Sequence, residues 1–224
     1  MQEHNYTKFS IGLQEDIKII SNSIAYTRFL LVAISEISKK DTGKKMIQKF
    51  PVLSMMNRAF YYQSIIEIHK LFNDDDVYSL PKLLNELINS YRRITWFNPL
   101  KLKDIRELKE SLLIGTIHAH FIKVKTIRDE YLAHNKRKPE NVKITLEELE
   151  LLQKKAEEIS NLIGNALYGT STGYDIQNDN SLSGIIHQLN AYDKFRNIIF
   201  DARKEQKDSI NTKDLFTVLR GENI

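Results

Sequence analysis

The chain has 224 residues, with 33 Lys and Arg against 29 Asp and Glu, a formal net charge of +4, an isoelectric point near 9.0, four prolines, eight glycines and no cysteine. These numbers exclude disulfides, thiolate zinc sites and thiol nucleophiles, and they permit a nucleic-acid partner without demanding one. The length suits one large helical domain with an appendage rather than two independent domains, and the abundance of Leu, Ile, Lys and Glu predicts helix throughout.

Residues 1 to 10 are polar, after which Leu13, Ile17, Ile20, Ile24, Leu31 and Ile34 recur at helical spacing and predict a first core helix up to about Ser38. Its longest uninterrupted apolar run, Phe29 to Ile34, falls far short of the roughly 20 residues a bilayer requires, and no N-terminal signal pattern is visible. A soluble, cytoplasmic protein without membrane contact is the expectation. Lys39 to Lys45 reads as a break with a turn at Gly43, its lysines either solvated, the favoured reading, or in contact with RNA.

A second helix is predicted from about Pro51 to Phe72, apolar around much of its circumference through Val52, Leu53, Met55, Met56, Phe60, Ile65, Ile66 and Leu71, and therefore central. Glu67 and His69 lie on it; His69 reads better as a packed or surface histidine than as a site residue, whereas Glu67 is kept as a supporting candidate. Asn73 to Asp76 lacks the mid-loop glycine and closing glutamate of a calcium-binding EF-hand loop and reads as a solvated connection. Ser79 is a predicted N-cap, with Pro81 in the first turn of a helix through about Tyr91. The run Arg92 to Pro99 interleaves Arg92 and Arg93 with Trp96 and Phe97, either to hold single-stranded RNA by charge and stacking or, the favoured reading for the two rings, to close the end of the core.

Residues 101 to 135 are predicted as one long amphipathic helix, ending in Arg128, Asp129, Glu130, His134 and Asn135, with the cluster Lys136, Arg137 and Lys138 just beyond. Arginine brings a permanent charge and a planar fork of donors suited to phosphate, and histidine exchanges a proton near neutral pH. Phosphodiester cleavage needs both properties. With ten arginines and six histidines, an Arg followed four to six residues later by a His is expected by chance about 0.8 times, so spacing alone says little. On a wheel of 100° per residue, Leu113, Ile117, His120, Val124 and Tyr131 form an apolar stripe flanked by Arg128 and His134. Packing of that stripe on a second copy would bring both side chains from both partners to one composite site. His120 reads as a packing or hydrogen-bonded residue of this seam. Glu130 could orient the imidazole of His134.

The run Arg128-Asp129-Glu130-Tyr131-Leu132-Ala133-His134 resembles the arginine, polar residue, spacer and histidine pattern of HEPN domains. The upstream runs His69 to Asp76 and Ser79 to Leu84 look like the AbiU-type branch associated with bacterial abortive infection, with Lys70 where that branch often carries arginine; the resemblance covers roughly residues 11 to 168. It implies an all-α fold, an antiparallel helical bundle, usually dimeric, whose active members are metal-independent endoribonucleases and often toxins. By that resemblance Arg128 and His134 are the catalytic pair and Asp129 accompanies them; Glu130, Asn135 and Glu67 are supporting candidates, and Arg92, Arg93, Lys136, Arg137 and Lys138 are candidates for holding RNA. Some members bind nucleotide, RNA or a protein without cutting, which keeps a non-catalytic module as the alternative. A third reading makes Arg128 and His134 structural ion-pair partners.

Beyond this, Thr145-Leu146-Glu147-Glu148 is a capping box that opens a helix with Leu149, Leu152, Ala156, Ile159, Leu162 and Ile163 inward. The expected organisation is a helical bundle over residues 1–168, a polar, flexible connection over 169–180, and over 181–224 a further amphipathic helix and tail. That last helix would dock on the bundle, on a partner subunit or on an antitoxin protein. No cofactor and no metal are expected.

Overall fold

The computed structural model describes residues 8–38, 41–133, 142–174 and 182–204. Among these residues the chain is all α, with eight α-helices and no strand: α1 (Lys8–Ser38), α2 (Asp41–Lys49), α3 (Pro51–Phe72), α4 (Leu80–Ser90), α5 (Leu102–Leu113), α6 (Gly115–Ile127), α7 (Leu146–Tyr168) and α8 (Leu182–Lys204). A 3-10 turn, Tyr91–Arg93, follows α4, and a π-helical segment, Arg128–Ala133, continues α6.

The chain divides into two compact units, one of Met1–Val32 with Ala59–Ile176, the other of Ala33–Arg58 with Gln177–Ile224. The sequence groups residues 1–168 as one bundle, with a further helix docked on it or on a partner; by contacts α8 instead shares a unit with α2. The reason lies in pairing as much as in apolar burial. Asp193 of α8 is buried and forms ion pairs with Lys49 of α2 and with Arg196, 3.1 Å away, while Ile186 is buried in the same unit. Gly43 supplies no turn here. It lies inside α2 where an added Cβ would fall 2.5 Å from the carbonyl oxygen of Glu36 and 2.6 Å from that of Ile37, so its missing side chain lets α2 pack directly on the last turn of α1. Val52 and Met55, read as core, are exposed.

In the first unit the core is built from Ile17, Ile20 and Ile24 of α1, Ile65, Ile68 and Leu71 of α3, Leu80, Leu84 and Leu87 of α4, Ile105 and Leu112 of α5, Val124 of α6, and Leu149, Leu152, Ala156, Ile159 and Ile163 of α7, all buried. Leu162, expected inward, is exposed. α1 contains one stretch, Gly12–Ser38, long and apolar enough by length and composition to cross a bilayer. The buried residues Leu13, Ile17, Ile20, Ile24, Leu30, Leu31, Ile34 and Ile37 recur along it at helical spacing, which accounts for its hydropathy by core packing.

Local chemistry sets the helix ends. The Ser79 hydroxyl accepts from the Lys82 N–H with Pro81 in the first turn of α4, and Thr145 and Glu148 exchange both bonds of a capping box at α7. At the other end of α7, the N–H groups of Phe97 and Asn98 both donate to the Ala166 carbonyl at 2.9 Å, satisfying an acceptor that the helix cannot satisfy itself. Beyond α7, Thr172 N–H donates to Asn161 and the buried Tyr174 hydroxyl to Ser160, so the start of the expected connection packs back on the helix; residues 175–180 lie outside the described residues.

The single helix expected over 101–135 is two. Ile114 is extended and Gly115 takes φ 75°, a left-handed conformation that a side chain disfavours, which ends α5 and restarts the chain as α6. One wheel therefore does not span Leu113 to His134. The expected seam fails with it: Val124 and Ile127 are buried within their own unit, Ile117 and His120 are half-buried, Leu113 is exposed, and the side chain of Tyr131 lies outside the described residues.

Candidate nucleic-acid site at the end of α6

Arg128 stands where α6 changes register. Its N–H donates to the carbonyls of both Lys125 and Val124, and the next five residues follow a π-helical course, wider than an α-helix. Such segments are costly unless the surroundings hold them, and they recur at functional positions. The guanidinium remains 44% exposed and donates from Nη1 to Oδ1 of Asp129 at 2.7 Å. Adjacent residues on a regular α-helix point about 100° apart, so this contact fits the wider segment and fixes the fork in one orientation. Glu130 is exposed on the same segment.

Phe121 precedes Arg128 by seven residues, two turns back along the same face of α6. Its ring lies 6.0 Å from Phe72 and 6.0 Å from His69, both in the last turn of α3. His69 is only 4% exposed. Its Nδ1 is 3.8 Å from Oδ2 of Asp76, and Asn73 donates its side-chain amide to that same oxygen at 3.1 Å. The Asn73 to Asp76 loop is thus less a solvated link than a bracket that turns a carboxylate toward His69. Burial, and after it the Arg128 guanidinium, lower the pKa of His69 from its ordinary 6.5; Asp129 and Asp76 pull the other way, and Lys125 adds to the lowering. The imidazole is in this way electrically part of the Arg128 neighbourhood. Sequence reasoning set His69 aside as structural. The signal that could have promoted it was its place at the head of the His69 to Asp76 run.

Glu67, a supporting candidate, turns its carboxylate to Ser23 at 3.2 Å, Gln63 at 2.9 Å and Lys70 at 3.0 Å. It ties α1 to α3 and orders Lys70. On the other flank of α6, Glu148 Oε1 lies 2.5 Å from Lys123 and 3.2 Å from Nδ1 of His120. The Lys123 hydrogen bond and then the Thr145 backbone hold Glu148 below its ordinary value. His120 is therefore engaged with α7. Tyr61 donates to the Ile144 carbonyl at 2.7 Å, and burial pushes its hydroxyl up to about 12, which fastens α3 to the start of the same helix.

Arg92 and Arg93 are exposed on the 3-10 turn. Trp96 donates to the Tyr91 carbonyl at 3.2 Å and its ring lies 5.4 Å from Tyr91, while Phe97 joins the C-terminal end of α7. Ala166 and Glu148 are separated by about 27 Å of helix. This run therefore attaches at the far end of α7 from the Lys123 and Glu148 contact and is not assembled with Arg128. Trp96 is half-buried against Tyr91, whereas Phe97 is 58% exposed, so of the two rings favoured from the sequence to close the core only Trp96 is covered. His134, Asn135, Lys136, Arg137 and Lys138 lie outside the described residues.

A family model described as AbiU2, of the HEPN group, matches residues 16–185. Comparisons with curated proteins and with solved structures gave no match.

Proposed function

Because the chain belongs to the AbiU2 family of HEPN proteins, we propose that it is a metal-independent endoribonuclease acting as a toxin or phage-defence component. Arg128 and His134 are the catalytic pair. The ribose 2′-OH attacks the adjacent phosphorus and the 5′-oxygen leaves; one imidazole accepts the hydroxyl proton and a second, protonated one returns a proton to the leaving oxygen. Arg128 stabilises the charge that grows on the non-bridging oxygens. The products carry 2′,3′-cyclic phosphate and 5′-OH ends, and DNA is spared because it has no 2′-hydroxyl.

The observation that carries this reading is the half-exposed guanidinium of Arg128, held by Asp129 at the start of a π-helical segment. A homodimer supplies the two histidines. Its seam is proposed on side chains that the subunit leaves bare, Ile114 just before α6 and Ala119 and Ile122 on it, with Ile114 67% and Ile122 45% exposed. Lys136, Arg137 and Lys138 are assigned to the RNA backbone with Asn135 in support of the catalytic pair, and an antitoxin protein is the proposed cellular partner.

Because Arg128 already has an acidic partner in Asp129, a non-catalytic module that binds RNA, nucleotide or protein is the second reading. Incubation of the full-length protein with RNA in EDTA separates the two. Cleavage that disappears in Arg128→Ala and His134→Ala supports the ribonuclease. Equal cleavage by all three proteins rejects it, and salt-sensitive binding without new RNA ends supports the module.

A further inference from the structure

The histidine at the end of α3 has no part in the mechanism above, yet it is buried against Phe121, two turns before the one arginine that mechanism needs. We propose that His69 is a positioning residue for Arg128, and that the two act as one proton-linked phosphate site: a phosphodiester lodged against the guanidinium draws a proton from solvent onto the imidazole. This rests on the reading of Arg128 as the phosphate-binding arginine and deepens it.

The geometry brings the two together from both elements. Phe121 packs its ring on His69 and Phe72, and the helical repeat returns Arg128 to the Phe121 face about 10 Å further on. From the α3 side, the loop after Phe72 folds Asp76 to within 3.8 Å of the imidazole and holds it there with Asn73. The groups that act on His69 are Arg128 and Lys125, both cationic, and Asp129 and Asp76, both anionic. On its own helix the nearby Lys70 and Glu67 are paired with each other at 3.0 Å.

A third cation in this nest is held off by burial and by the two neighbouring cations. A phosphodiester on Arg128 adds a full negative charge and reverses that balance, so the imidazolium is favoured and Asp76 stands ready to accept its Nδ1–H. The protonated ring then presses its charge toward the same anion. Asp129 holds the guanidinium at 2.7 Å, and its exposed donors meet the anion.

The test uses the full-length protein, selectively labelled at histidine, with the His69 resonance assigned from His69→Gln. The probe is an RNA oligonucleotide methylated at every 2′-oxygen, which presents the phosphodiester but cannot be cut; a parallel arm uses inorganic phosphate. Saturation with the oligonucleotide should raise the midpoint of His69 titration by about one pH unit or more, and its affinity should strengthen by up to about tenfold per unit of falling pH between the free and bound midpoints. Arg128→Gln should abolish the shift, and His69→Gln should bind with an affinity flat across that window. A midpoint that does not move on saturation, an affinity in wild type as flat as in His69→Gln, or no binding of the oligonucleotide overturns the proposal. Because the probe is inert, a shifted midpoint in a protein that leaves RNA intact sinks only the ribonuclease reading, and RNA cleavage without a shift sinks only the role of His69.

Discussion

Arg128 and Asp129 are adjacent in the chain, and their side chains meet at 2.7 Å. The widened turn at the end of α6 makes that geometry accessible, and it holds a planar cation with its remaining donors toward solvent. A lysine would keep the charge and lose the fork.

Arg128→Lys should accordingly lower RNA cleavage by roughly 10²-fold or more with little change in unfolding midpoint, as read from initial rates and urea titrations. Retention of more than a third of wild-type rate would show that a point charge suffices.

The pH dependence of stability should carry the mark of His69. Its folded pKa lies below the ordinary 6.5, with burial the leading cause. The unfolded chain therefore takes up the proton first as pH falls, and wild type should lose stability through the window that opens at about 6.5 and closes at the folded value, with a slope of at most about 1.4 kcal/mol per pH unit. Replacing His69 with Gln should flatten that window in denaturant titrations at a series of pH values, and a slope unchanged by the replacement would refute the assignment.

The start of α7 makes a different demand. Thr145→Ala removes the acceptor for the Glu148 N–H, 3.2 Å away, and should cost about 1 kcal/mol by urea unfolding, with Thr145→Ser close to neutral. Glu148 is held below its ordinary 4.5, so the stability it contributes is present above that value and is lost as pH falls through the folded pKa. Lys123→Met should shrink this acid-side loss.

Gly43→Ala places a methyl group 2.5 Å from the backbone oxygen of Glu36, where no flexible side chain can yield. The expected cost is about 1 to 3 kcal/mol. Hydrogen exchange should show the loss first in α2 and α8, which pack on each other. Uniform loss across α4 to α7 would contradict this.

Ile122→Asp puts a charge on the bare face of α6 and should shift the protein toward monomer in sedimentation while circular dichroism stays unchanged, with cleavage falling in parallel. A dimer that survives the substitution would move the seam elsewhere.

What the sequence by itself determined was local. Ser79, Thr145 and Glu148 cap helices through partners three residues away, and the apolar spacing of α1, α3 and α7 marks most of their inner faces, so these features could be read along the chain. The resemblance to HEPN domains rested on short runs of the same kind and is matched by the family model over residues 16–185. Only the tertiary structure decided which face of α6 is covered, that Gly115 divides an apparently continuous helix, that Gly43 is a packing contact, and that His69 and Asp76 converge near Arg128. The physical reason is common to all four: caps and periodicity are fixed by neighbours in sequence, whereas burial, close approach and the electrostatic setting of a side chain depend on residues tens of positions away.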